Sequence, residues 1–459
     1  MPGATLRIKP GDTLNINFHN LLENRGLGYV HNQYSAADET NLHFHGLHVS
    51  GELPSDDVTH VVGPGESYDY MTKLPDSHLP GTHWMHPHRH GSTTLQVGAG
   101  AASVIIVEDP KGFLPAQLAD APEVVFMAQY FHMPELDRVI QRCNDQLTQI
   151  RNAPDDEFTL VNGALNPTIT MNPGEWTRFR IIWSQWRNGN MNFAANGCEM
   201  QLLAKDGIYI RDYPRSIGTA PINPGGRADI MVRCPDPSKN YAISGQGGTL
   251  ATIATTTTVV ESSDLEAWVA PYPAYLSDLR GATVSPDCSC TTAFDGTDTV
   301  NGISFDYGLT LHTSYLGAVV ERDMGAEADE HPYHQHVYPF QLTTGYGGYN
   351  QIGDWHDVVM GDGTIRYSPT EFTGKLMIHC HRLIHEDLGM MAMEQVGEKG
   401  GTCTCTAAPG LGFGAIIGIA AGAAILVAMA GYCIYRRKKR VREARKATED
   451  NDLELETAK

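Results

Sequence analysis

Residues 379–390 read His-Cys-His-Arg-Leu-Ile-His-Glu-Asp-Leu-Gly-Met. Cys380 is followed five residues later by His385, and five later again by Met390. One thiolate, two imidazoles and a weak axial thioether make a blue copper electron-transfer site, and this run supplies all but one imidazole. His379 and His381 flank the thiol. On a strand, neighbouring side chains point to opposite faces, so these two cannot share a metal with Cys380. The run therefore predicts two metal centres joined through one cysteine. A His-rich solvated loop around a buried thiol is the plainer alternative.

Three further clusters weigh against that alternative. His43 and His45 lie in His-Phe-His-Gly, His86 and His88 in Trp-Met-His-Pro-His, and His331, His334 and His336 in His-Pro-Tyr-His-Gln-His. His-x-His puts two imidazoles on one face of a strand, within reach of neighbouring metals. With His379, His381 and His385 the chain presents ten such histidines, one cysteine and one methionine.

These four clusters, in this order, resemble the copper-ligand motifs of the multicopper oxidase family, which includes laccases, ferroxidases and bacterial cuprous oxidases. The resemblance covers most of residues 1–400. It implies four copper ions. The type 1 copper would take His331, Cys380, His385 and axial Met390, the type 2 copper His43 and His334, and the type 3 pair His45, His86, His88, His336, His379 and His381. His48, His83 and His90 lie beside these clusters. The family places a tryptophan two residues before the first ligand of the second cluster, and Trp84 stands two before His86, which favours His86 and His88 over His88 and His90. His19, His31, His60, His78, His132, His312 and His356 are expected at the surface or in packing.

The implied reaction takes electrons singly from a donor and reduces O2 to two waters. The Met390 ligand implies a modest potential. Proton delivery needs carboxylates near the cluster. Glu386, directly after His385, resembles the relay glutamate of the cuprous-oxidase branch. Asp56 and Asp57 both fit a second acid about a dozen residues after the first His-x-His. The place where fungal and plant members often carry an acid holds Leu383.

The 459 residues suffice for about three domains. Short alternating runs such as Thr13-Leu14-Asn15-Ile16-Asn17-Phe18 are separated by turns such as Lys9-Pro10-Gly11-Asp12, Asn172-Pro173-Gly174-Glu175 and Asn223-Pro224-Gly225-Gly226. This is an all-β pattern. It predicts three cupredoxin-like (plastocyanin-like) Greek-key β-sandwich domains over 1–112, 113–275 and 276–400. The ligand motifs fall in the first and third, so the middle domain is expected to act as a spacer and part of a substrate rim.

After a linker (401–410), residues 411–435 carry no charge and are long enough to span a bilayer as a helix. Arg436 to Arg440 follow, which predicts a cytoplasmic tail over 436–459 and catalytic domains outside the cytoplasm, at the plasma membrane or in the secretory pathway. The formal net charge is −20. The tail has nine Lys/Arg against six Asp/Glu, leaving −23 on residues 1–435. An acidic exterior attracts cations and excludes nucleic acid as a partner. Residues 1–20 contain no apolar signal core, so a leader, with a first strand, is expected to precede this chain. The alternative is a tail-anchored protein with cytosolic copper domains. Outside the cell disulfides are expected, and Cys288-Ser-Cys290 and Cys403-Thr-Cys405 could staple the start of the third domain to its end.

The donor is a metal ion, Fe(II) above all, or a phenol or aromatic amine. Glu327, Asp329 and Glu330 precede His331 and are candidates to hold a cation beside the entry ligand. A membrane tether resembles ferroxidases that feed iron permeases, which makes such a permease a candidate partner. The stretch Trp183-Ser184-Gln185-Trp186-Arg187 lacks the acid that aryl-oxidising laccases often carry there. A catalytically inactive copper-binding or cell-surface structural protein is the reading from another class, and no ligand position is vacant to favour it.

Overall fold

A computed structural model describes residues 2–143, 157–187, 189–325 and 330–406. The apolar run 411–435, the tail 436–459 and part of the linker lie outside these residues, as do Glu327 and Asp329. Among the described residues no helix is long and apolar enough to cross a membrane.

The first lobe contains β1 (Leu6–Ile8), β2 (Thr13–His19), β3 (His43–His45), β4 (Ser67–Lys73), β5 (Gly81–His86) and β6 (Ser103–Val107). One sheet runs β1-β6-β5-β3 and a second pairs β2 with β4. The turn into β2 depends on Gly11, whose φ is +85° and whose added Cβ would lie 2.4 Å from an Asp76 carboxylate oxygen. In β2, Leu14, Ile16 and Phe18 turn inward while Thr13, Asn15, Asn17 and His19 are exposed, the period-two signature read from the sequence. β3 pairs antiparallel with β5 in the register His43↔His86, Phe44↔Met85, His45↔Trp84. Phe44 enters the lobe's core with Leu42, Leu47 and Ile105, so His43 and His45 face the other way.

The middle lobe has a seven-stranded and a five-stranded sheet. Phe179, Phe193, Ile230 and Ile253 from both sheets meet in one core. The Asn223-Pro224-Gly225-Gly226 turn joins strand Ala220–Ile222 to strand Arg227–Arg233. The last lobe has a five-stranded and a six-stranded sheet. Its strand Gly374–Cys380 lies between Tyr333–Gln335 and Met391–Gly397, in the registers Tyr333↔Cys380, His334↔His379 and His379↔Met391. A fully buried Arg322–Glu394 pair at 2.7 Å, closed by the Tyr367 hydroxyl, satisfies the charges inside that core.

Disulfides join Cys198 to Cys234 in the middle lobe, and Cys288 to Cys403 and Cys290 to Cys405 in the last. The two CxC segments are thereby tied together, start to end. Lys205 of the middle lobe bonds Asp354 of the last at 2.7 Å, and Arg215 grips the same carboxylate at 2.8 Å.

Candidate metal centre

Two groups of ligand atoms lie on opposite faces of the strand Gly374–Cys380. On one face Cys380 Sγ is 3.5 Å from His331 Nδ1 and 4.0 Å from His385 Nδ1, and the two nitrogens are 3.2 Å apart. One sulfur and two nitrogens form a triangle of the size a single ion would close. All three residues are buried. The backbone N–H of Arg382 points at the sulfur at 3.4 Å. Burial pushes the Cys380 thiol up to about 12 and the His385 imidazole down to about 3. Met390 is fully buried beside them, its N–H bonded to the His385 carbonyl at 2.9 Å and its carbonyl accepting from Cys380 N–H at 3.2 Å.

On the other face His43, His45, His86, His88, His334, His336, His379 and His381 converge. His43 stacks on His336 at 3.8 Å and His45 on His334 at 3.9 Å. His43 Nε2 is 3.4 Å from His334 Nε2, and His379 Nε2 is 3.0 Å from His88 Nε2 and 3.3 Å from His336 Nε2. Backbone carbonyls fix three tautomers. Nδ1–H of His86, His334 and His379 donates to the oxygens of Pro87, Asp357 and Cys380 at 2.9, 2.8 and 3.1 Å. Their Nε2 atoms therefore carry lone pairs. Trp84, tilted against His86 with ring centroids 4.3 Å apart, closes one wall.

These residues fit copper. Nitrogens of His45, His86, His88, His336 and His381 are buried without a hydrogen-bond partner among the described residues, a costly state unless an ion accepts the lone pairs. His88 Nδ1 does lie 3.5 Å from Glu386 Oε1, a contact too poorly aligned to be a hydrogen bond. Burial, then the neighbouring imidazoles, holds His43, His88, His336 and His381 neutral, which is the form that ligates. Imidazole with a single thiolate is a copper-type donor set.

Carboxylates surround the histidine cluster. Glu386 Oε1 accepts from the Thr93 hydroxyl at 3.1 Å, and Oε2 lies 3.9 Å from His379 Nδ1. Burial and the adjacent Asp387 push Glu386 well above the usual carboxylate range. Asp387 accepts backbone N–H groups from Gly91 at 2.7 Å and Thr94 at 2.8 Å, and burial raises it to about 6. The two sequence candidates Asp56 and Asp57 part company. Asp56 bonds His43 Nδ1 at 2.9 Å, whereas Asp57 turns to Lys375 Nζ at 2.6 Å.

The remaining candidates fall elsewhere. Glu330 is exposed next to His331. His48 bonds the Val337 carbonyl at 2.8 Å and His90 bonds Asn32 at 2.9 Å, and both are buried away from the cluster. Sequence reasoning missed Asp357 and Arg227. Asp357 lies 3.3 Å from His45 Nε2 and is held bidentately by Arg227 at 2.6 and 2.5 Å. The middle lobe is also more than a spacer. An added Cβ on its Gly225, at φ +80°, would lie 2.6 Å from the His381 ring.

Paired sheets with ligand clusters at the seam of the first and last lobes define a copper protein of the cupredoxin-like class. Three family models, each described as multicopper oxidase, match residues 1–112, 123–264 and 278–400. The chain belongs to the multicopper oxidase family and is an oxidase that uses oxygen. It is 25% identical over 413 residues to the multicopper oxidase mco of Staphylococcus haemolyticus, covering 86% of this chain and 82% of that protein. It is 27% identical over 247 residues to the iron transport multicopper oxidase FET3 of Gibberella zeae, covering 53% of this chain and 36% of that protein. With Laccase-12 of Arabidopsis thaliana it shares 23% over 260 residues, 53% of this chain and 41% of that one. A multi-copper oxidase structure from Pseudomonas thermotolerans superposes with a TM-score of 0.64 at 24% identity, covering 86% of this chain and 91% of that one.

Two outcomes follow. Nine of the ten cluster histidines are held below their ordinary value of 6.5. Lowered folded values mean stability present above pH 6.5 and lost as pH falls, because the unfolded chain then binds more protons. Glu386, Asp56, Asp387 and Asp357, with raised values, act oppositely but are only four. The urea midpoint of the metal-free protein should fall steeply between about pH 7 and pH 5; a flat profile contradicts neutral burial. Gly225→Ala should cost ~1–3 kcal/mol and lower copper content at the histidine cluster while the thiolate site still loads. Unchanged stability and copper content would show that His381 does not depend on this turn.

Proposed function

We propose that the protein couples one-electron oxidation of a donor beside Cys380 to four-electron reduction of O2 to water at the histidine cluster. The observation that carries this is the strand Gly374–Cys380, which places Cys380 on one face and His379 on the other, with His381 directly following. His331, Cys380, His385 and Met390 are the residues that would hold a type 1 copper. His43 and His334 are those for the type 2 ion, and His45, His86, His88, His336, His379 and His381 for the type 3 pair. Bound copper supplies one-electron carriers and the centre at which O2 is reduced.

The chain's own groups do the rest. The peptide links from Cys380 to His379 and His381 give a short covalent route between the two faces. Glu386, pushed well above the usual carboxylate range by its burial and by Asp387, sets its Oε1 3.5 Å from His88 Nδ1 and is the group placed to carry protons to the cluster. Asp56 fixes the His43 ring through Nδ1 and is itself raised by burial, so it is a second proton-holding group. The intact ligand set argues against an inactive copper-binding or structural protein.

For the donor we propose a metal ion such as Fe(II), with a phenol or aromatic amine as the competing class. The iron transport name of the Gibberella zeae relative supports the first, as does the acidic approach Glu327, Asp329 and Glu330 before His331. The uncharged run 411–435 with its basic flank supports a single-pass anchor, catalytic lobes outside the cytoplasm, and an iron permease as partner.

The copper-loaded protein should show the visible thiolate-to-copper band and consume one O2 per four donor electrons without releasing peroxide. Absence of the band and of O2 uptake would end the oxidase reading for this chain. Glu386→Gln should slow O2 reduction about 100-fold or more while the thiolate band persists; full activity in that variant removes Glu386 from proton delivery. Replacing Glu327, Asp329 and Glu330 together by Ala should depress turnover of Fe(II) selectively, and equal losses with Fe(II) and a phenol would discard the acidic approach as a cation site.

A further inference from the structure

A third cluster of metal-ligating atoms lies in the last lobe and uses none of the residues of the copper motifs. The sulfurs of Cys290 and Cys405 and a ring nitrogen of His312 all lie within 4.8 Å of one another. The strand pairing that builds this is short and local to the last lobe. Strand His312–Tyr315 runs antiparallel to Thr404–Cys405 with His312 opposite Cys405. Strand Ser289–Thr291 brings Cys290 alongside. His312 is 1% exposed, and its Nδ1 has no hydrogen-bond partner among the described residues. Its Nε2 meets the Thr292 hydroxyl at 3.2 Å. Burial and then the Arg322 charge lower this imidazole to about 4, so it is neutral and able to ligate at physiological pH. Cys405 is exposed and Cys290 is nearly buried, which gives an ion one open approach.

A packing histidine accounts for the burial of His312 but not for a ring nitrogen within 4.8 Å of two sulfurs together with an Nδ1 that has no partner among the described residues. We propose that, when the Cys290–Cys405 bond is open, these two thiolates and His312 bind one monovalent copper ion, and that closing the disulfide abolishes the site. Two thiolates and one imidazole suit a soft monovalent ion in three-coordinate geometry, whereas zinc asks for a fourth ligand. Sulfurs sharing one ion stand about 4 Å apart, given metal–sulfur bonds near 2.3 Å, so opening the bond requires a modest separation that the exposed Cys405 end can supply. The chemistry balances as thiol–disulfide exchange. Two molecules of a small thiol give up two electrons and two protons to the disulfide, forming two cysteine thiols and the oxidised small disulfide. Ion binding then releases the two thiol protons. Closure reverses this, with an external disulfide taking the two electrons and the ion leaving. Every newly made chain carries these cysteines as thiols before the staple closes. The pairing of strand His312–Tyr315 with Thr404–Cys405 keeps His312 opposite Cys405 while the outer pair is open.

The test is a titration of the full metal-free chain with copper(I) against a chromophoric chelator, in a Cys380→Ser background that removes the other thiolate site. The phosphine-reduced protein should take up one more equivalent than the oxidised protein. His312→Gln, which leaves the staple and the Thr292 bond possible, should weaken that equivalent at least tenfold, and Cys290→Ser with Cys405→Ser should abolish it. Cys288→Ser with Cys403→Ser should retain it. X-ray absorption of the extra ion should show sulfur and nitrogen neighbours. Equal uptake by reduced and oxidised protein, an extra equivalent indifferent to His312, uptake of zinc(II) in place of copper(I), or loss of the equivalent with Cys288 and Cys403 instead would each overturn the proposal.

Discussion

The desolvation of imidazole nitrogens at the seam between the first and last lobes is the constraint to which the rest of the molecule answers. Each ring nitrogen taken from water without a partner costs free energy, and here nitrogens of five cluster histidines are left in that state. The structure tolerates it because the rings are held neutral and stacked, as His43 is on His336. The outward nitrogens of His43, His45, His86, His334 and His379 are spent on carboxylates or backbone carbonyls, so that lone pairs collect in the interior. The cluster is a concentration of unmet bonding capacity.

Period-two alternation turns that constraint into a circuit. The same strand geometry that sends Phe44 into the core sends His43 and His45 to the seam, and on the last lobe it divides Cys380 from His379. The carboxylates then sort by neighbour. Asp56 faces a ring and Asp57 faces a lysine, while Glu386 is sealed between Thr93 and two ligand histidines. An acid raised by burial and imidazoles lowered by it are thus kept within a few ångströms of one another.

Local features were legible in the sequence, and features assembled from distant segments were not. His-x-His and His-Cys-His declare themselves because a strand converts spacing directly into direction, and the turn chemistry around Gly11 and Gly225 announced β-rich lobes. Asp56 and Asp57 could not be separated, since adjacent positions on a turn differ only in what comes to meet them, and Lys375 comes from more than three hundred residues away. Arg227 and Asp357 carried no motif because their pairing exists only once the middle and last lobes dock. His48 and His90 show the converse: histidines beside the ligand motifs that are equally buried, yet turned to a carbonyl and an asparagine and not toward the cluster.

The Gly225 turn gives the middle lobe a different standing from that of a linker. Its backbone rests against His381, and Arg227 two residues later clamps the acid beside His45. All three lobes must therefore have docked before the copper pocket has its full wall. Metal capture is then a proofreading event: a chain whose middle lobe is misplaced presents a defective cradle, and the arrival of copper certifies the assembly of parts that hold no copper themselves.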